Sequence, residues 1–229
     1  MDKVRKVADH LNTVLRYVPY VQANFVLGLD DDDGDGALRA DQALPDLAPG
    51  VFPAYSLLSA FGQAAELNLD LQRAGRVLPT PFHFLDNNRA TNVRPKNYTW
   101  TALYDHVIGL RKHSFSWRAV ARRFQANRGT IPRWLNAARA RSSEGRGRIR
   151  YDTTIRRLLD TDQGLRRFFE GETAVVPRFY MDQMRSDLGA FWGALPQGAL
   201  SHDPNAYLRA SAHPSPRVSA SDSPPAAGW

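Results

Sequence analysis

The chain has 229 residues, 43% of them hydrophobic and 10% aromatic, with a formal net charge of +7. That is enough apolar material for one large core or two small ones. It contains no cysteine, which excludes disulfides, thiolate-ligated zinc, a cysteine nucleophile and any iron-sulfur cluster held by its own side chains.

No apolar run approaches the roughly 20 residues that span a bilayer, and Met1-Asp-Lys-Val-Arg-Lys-Val7 lacks the apolar stretch of a secretory signal. The expectation is a cytoplasmic protein with no membrane partner. The charge is regional: residues 111–167 carry sixteen Lys/Arg against four Asp/Glu, while both flanks are slightly acidic. A field of that sign attracts nucleic acid, a phosphorylated ligand or an acidic partner surface.

In chain order, Val4, Val7, Leu11, Val14 and Leu15 recur at helical spacing until Pro19. Residues 20–29 then read as a strand with polar Gln22 and Asn24 on alternate positions, running into a Gly-Leu-acidic turn. A short helix over Asp41–Leu47, a strand over 51–60 and a helix over 66–74 closed by Gly75 continue the alternation. Such alternation predicts parallel strands joined by right-handed crossovers. Pro81–Leu85 is a candidate third strand. A parallel sheet of two or three strands is too small to be covered on both faces, so it reads as part of a larger one.

From Thr99 onward the pattern is helical. Trp100, Leu103, Tyr104, Val107 and Leu110 form one apolar stripe; Trp117, Val120, Ala121 and Phe124 a second; Ile131, Trp134, Leu135 and Ala138 a third. Ser116 and Thr130 are candidate N-caps. Further helices are expected at 152–160, 163–170, 175–187 and 188–195. Residues 209–229, rich in Ser, Pro and Ala, are expected to be a disordered tail.

Asp31-Asp-Asp33-Gly-Asp35-Gly36 begins like a calcium loop, but its twelfth position is Gln42 rather than a bidentate Glu. Ser116–Trp134 resembles a helix-turn-helix, with Pro132 either inside the second helix, where it costs about 3 kcal/mol, or harmlessly in its first turn. Six scattered histidines form no metal-ligand pair; His83 lies where it could face a pocket, though a core role suits it better. Arg94-Pro-Lys-Asn-Tyr98 is a cationic turn that could meet a carboxylate or phosphate, or simply open a helix.

Asn24-Phe-Val-Leu-Gly-Leu-Asp-Asp31, then Leu57-Leu-Ser-Ala-Phe-Gly62, Leu69–Leu78 and Arg94-Pro-Lys-Asn97 resemble, in order and spacing, the later half of a radical S-adenosylmethionine enzyme of the branch with an N-terminal cobalamin-binding domain. The family's fifth-strand motif, G-x-I-x-G-x-x-E, maps onto Asn24, Val26, Gly28 and Asp31. Gly28 is identical, and Asn24 departs from glycine. The Pro-Gly-Thr-Pro-like turn after the sixth strand keeps only its glycine in Phe61-Gly-Gln-Ala-Ala65.

The resemblance implies an α/β fold that is mainly α by content. Residues 1–98 would be the last two or three strands of a partial parallel (β/α) barrel, and residues 99–208 a helical C-terminal region. It also implies an S-adenosylmethionine site to which Asn24, Val26, Gly28 and Asp31 contribute the adenine side. Intact members hold a [4Fe-4S] cluster on C-x3-C-x2-C, and this branch also holds cobalamin. This cysteine-free chain alone can hold neither, so it is expected to be a fragment, inactive by itself, with a separate chain supplying the N-terminal half of the barrel. Two other readings stand beside it. One is a helical nucleic-acid-binding protein using the basic 111–167 region; the other is a non-catalytic module whose exposed sheet edge pairs with another chain.

Overall fold

A computed structural model describes residues 2–32, 35–61, 65–85 and 90–202, without the side chains of residues 35–38, 82 and 83. Helix α1 (Asp2–Val14) leads into strand β1 (Gln22–Leu27), helix α2 (Asp35–Leu47) crosses over, and strand β2 (Phe52–Leu57) pairs with β1 in parallel, with Gln22 opposite Phe52 and Leu27 opposite Leu57. After α3 (Glu66–Arg73) and the single turn α4 (Phe82–Leu85), the chain is helical: α5 (Trp100–Ser114), α6 (Trp117–Ala126), α7 (Thr130–Arg141), a π-helical turn (Ser143–Gly147), α8 (Arg148–Thr161), α9 (Gln163–Phe169), α10 (Arg178–Leu188) and a 3-10 turn (Gly189–Ala194). The fold is mainly helical around a two-stranded parallel sheet.

One face of that sheet carries Ala23, Phe25, Leu27, Pro53, Tyr55 and Leu57. It is covered at the start of the strands by Leu11 of α1, Leu44 of α2 and Ala48 and Val51 of the link to β2, and by α5 further along. The predicted α5 stripe is the centre of the largest core, where Trp100, Leu103, Tyr104, Val107 and Leu110 meet Leu27 and Tyr55 from the sheet and Ile155, Leu165, Phe169 and Tyr180 from α8–α10. Thr99 starts α5 by accepting the Ala102 N–H, and Ser116 does the same for α6 through Ala119, each satisfying a first-turn donor. Gly75 closes α3 with φ +64°, the left-handed backbone that favours glycine.

Two expectations fail here. Pro81–Leu85 is not a third strand: residues 82–85 are one helical turn, with Phe84 N–H donating to the Pro81 carbonyl. The sheet-like contact in that region is instead an isolated antiparallel bridge, Val77 to Val93. The α7 helix is capped at Gly129 rather than Thr130. Pro132 therefore sits in the first turn, where its missing N–H costs little.

The third apolar stripe is the larger surprise. Helix α7 buries Pro132, Asn136 and Ala140, while Ile131 is 80% exposed and Trp134 64% exposed. In α6, likewise, Ala119 and Arg123 are buried and Trp117 is 60% exposed. The predicted 209–229 tail and residues 33–34, 62–64 and 86–89 lie outside the described residues, as does the side chain of His83. Residues 35–42 of the calcium-like pattern are helical.

Candidate functional site

The two edges of the sheet are unlike. Phe52 N–H donates to Val21 C=O and Leu58 N–H to Leu27 C=O. By strand alternation, the backbone groups of Gln22, Asn24 and Val26 therefore point away from β2. Among the described residues no backbone group bonds to them.

On β2 the outward positions are 53, 55 and 57, and they are blocked. Pro53 has no N–H to offer, the Arg111 guanidinium donates to Tyr55 C=O at 2.6 Å, and the Ser59 hydroxyl reaches Leu57 C=O at 3.4 Å. The uncovered face at the β1 edge carries Asn24 and Val26, both exposed, with Asn24 Oδ1 accepting from Gln22. Two of the predicted site residues thus lie side by side on open strand.

At the carboxyl end of β1, Gly28 adopts φ +89°. A Cβ there would meet only Leu103 methyls at 3.8 Å, so backbone conformation rather than space requires glycine. The Asp32 carboxylate accepts both the Gly28 N–H, at 2.7 Å, and the Leu29 N–H, at 3.0 Å, and Asp32 N–H closes a turn onto Leu29 C=O. Asp30 and Asp31 are the two central residues of that turn. Both carboxylate oxygens of Asp30 accept from Arg76 Nη1, at 2.7 and 2.8 Å, with Lys96 3.9 Å away. Asp31, the family-matched carboxylate, is exposed.

The Arg94–Asn97 turn is brought to this same place. The Asn97 amide donates to the Asp30 and Asp32 carbonyls at 2.8 and 3.0 Å. Arg76 Nε donates to Arg94 C=O, and Arg94 itself donates to Glu170 C=O. The cationic turn therefore holds the Gly28 loop in shape. Beneath the loop a cavity of about 10 Å3, lined by Leu27, Gly28, Asp32, Asp41, Tyr98 and His106, has room for about one water. Burial, with the Asp32 charge as a second cause, pushes the Asp41 carboxyl up to about 6.

Beyond the β2 edge lies a second feature, a cleft of about 440 Å3 lined by Gln22, Phe52, Ala54, Arg111, Arg139 and Arg148. Its arginines are largely neutralised in place. Arg111 pairs with Asp152 at 2.8 Å, both 6% exposed; Arg148 lies 3.8 Å from the same carboxylate; and Arg139 meets Glu144, Tyr20 and Gln22 while lying 4.3 Å above the Phe52 ring centroid. Arg123 is buried too, donating to Val51 C=O and Ser114 C=O, and burial lowers it to about 10. Much of the regional basicity therefore supports the fold. Among the described residues, no group of three or more His, Asp or Glu is placed to hold a metal ion.

Sequence reasoning identified Gly28 and the Arg94–Asn97 turn but missed that they touch, and it gave Asp32, Arg76 and Asp41 no part in this loop. The run of acids from 30 to 33 was the available signal, since a carboxylate shortly after a strand-ending glycine commonly binds the N–H groups of its own turn. Comparison with family models, with curated proteins and with solved structures returns no match to this chain.

Proposed function

We propose that these residues form the closing strands and C-terminal helices of a radical S-adenosylmethionine barrel of the cobalamin-binding branch. In this reading β1 and β2 are its last two strands. Asn24, Val26 and Gly28 form the adenine-side wall, and the α5–α10 helices shape the substrate space. The observation that carries the reading is the contrast between edges, β2 closed by Pro53 and Arg111 and β1 open along Gln22, Asn24 and Val26. In such a barrel the remaining strands add on the β1 side only.

The cysteine-free chain does not fit a thiolate-held cluster, and the small cavity under Gly28 does not fit a nucleoside. The exposed Asn24–Gly28 face is the surface on which an adenine can lie through backbone and apolar contact. Alone, the chain supplies one wall of a site and no redox centre.

The experiment adds a separately produced polypeptide carrying the first four barrel strands and the C-x3-C-x2-C loop of a cobalamin-branch enzyme. A 1:1 complex that binds S-adenosylmethionine is the expected result. Asn24→Pro, which deletes an outward N–H without touching the β1–β2 ladder, should abolish it. A complex that forms equally well with Asn24→Pro, or no complex at all, refutes the proposal.

A further inference from the structure

Helices α6 and α7 are amphipathic in the wrong sense for a domain interior: their small and polar sides face the protein and their apolar sides face out. Trp117, Phe124, Ile131, Trp134 and Leu135 share that outer side. The Phe124 and Trp134 rings meet edge to face at 5.2 Å, which joins the two helices' stripes into one band. Before the start of α7, Arg16, Tyr17 and Val18 line a common cleft with Arg128 and Gly129. Tyr17 is 83% exposed.

A contiguous exposed apolar surface of this kind is rare on a monomer unless it has a partner. The charge of the two helices is basic: residues 115–141 contain seven arginines and no acidic residue, with Arg122 paired to Asp46 and Arg139 to Glu144. Of these, Arg118, Arg128 and Arg141 are exposed.

We propose that the outer face of the α6–α7 hairpin docks on an anionic lipid surface, with Ile131, Trp134 and Leu135 entering the acyl boundary and Arg118, Arg128 and Arg141 meeting headgroup phosphates. Tryptophan and branched aliphatics beside arginines that reach sideways to the interface form the pattern of a helix lying in the bilayer plane. Such a helix needs no spanning length, and no helix among the described residues is long and apolar enough to cross a membrane. Single-stranded nucleic acid fits the face less well. Base stacking needs free rings, whereas the Trp117 ring already has the Arg141 and Arg146 guanidiniums 4.9 and 4.2 Å from its centroid, and Ile131 and Leu135 give nothing to a base or a phosphate. The inference is independent of the barrel reading, which concerns the β1 edge.

The test is flotation of the full chain with vesicles of phosphatidylcholine alone and of phosphatidylcholine mixed with phosphatidylglycerol, together with tryptophan emission. Binding to the anionic vesicles with a blue shift is expected. Ile131→Ser with Leu135→Ser should weaken it about tenfold or more, and Arg118→Glu with Arg128→Glu should remove the preference for anionic lipid. These side chains are exposed, so circular dichroism of the variants should match the parent. No partition into anionic vesicles, partition unchanged in both variants, or a single-stranded oligonucleotide that binds through Trp134 and displaces the vesicles would each overturn the proposal.

Discussion

Removing Asp152 isolates the energetics of the helix-to-sheet junction. Arg111 and Asp152 are a contact pair, both nearly buried. Burial lowers Arg111 and raises Asp152 from their ordinary values despite the attraction between them. Desolvation therefore outweighs pairing. For such a pair, deleting one partner strands the other charge and costs about 3–5 kcal/mol, whereas replacing both by apolar side chains of similar volume is close to neutral.

Asp152→Ala should thus lower the melting temperature by about 10 °C, at roughly 2–4 °C per kcal/mol for a chain of this size. Arg111→Met combined with Asp152→Leu should recover most of that. The residual loss, about 1–2 kcal/mol, comes from Tyr55 C=O, which loses the Arg111 donor, and from Arg148, which loses the Asp152 carboxylate. Thermal and urea unfolding of Arg111→Met, of Asp152→Leu and of the double variant close the cycle. Additive losses, with the double variant no more stable than Asp152→Ala, would refute the reasoning that desolvation dominates here.

Three further outcomes follow from the Gly28 loop. Asp32→Ala frees two turn N–H groups and should cost about 1–2 kcal/mol, with faster hydrogen exchange at Gly28 and Leu29 and little change in the α5 core. Gly28→Ala should cost about 1–2 kcal/mol through its positive φ alone; a loss near that of a core truncation would mean that steric space, not backbone, governs the site. Asp41 has a folded value near 6 against 3.8 unfolded. The folded state thus holds its proton more tightly, and this stabilising contribution is full below about pH 4 and lost as pH rises through 6. Asp41→Asn should accordingly be more stable than the parent at pH 7.5, by about 1 kcal/mol after allowing for partial exposure, with the gain vanishing toward pH 4; a pH-independent difference rules this out.

The legible parts of the fold are those where local chemistry has one answer. Ser116 caps α6 because its hydroxyl reaches the Ala119 N–H, and Gly75 ends α3 because few other residues take its backbone angles. Periodicity also named the residues sharing a face on α6 and α7, but a stripe does not say which way it points. On α7 the inward side was available to Asn136 because its amide bonds within the helix to Pro132 C=O, and to Arg139 because Phe52, Tyr20 and Glu144 receive it. Tyr20 and Phe52 are far from Arg139 in sequence. The same limit hid the site. Asp30 and Arg76, 46 residues apart, and Asn97, 67 residues from Asp30, meet only through tertiary structure. The strand reading of Pro81–Leu85 failed because a short apolar run with proline suits one helical turn equally well.

The unequal edges of the sheet also set a limit on self-association. A strand edge that can pair on both sides propagates into fibres, because each added copy presents a new edge. Among the described residues each molecule has one open edge, along β1, and one stopped by Pro53 and Arg111. Two copies that meet through β1 consume both open edges, leaving only blocked ones outward. Edge pairing of this chain with itself therefore ends at a closed dimer, and Arg111→Met, which uncovers Tyr55 C=O, reopens part of the route to longer assemblies.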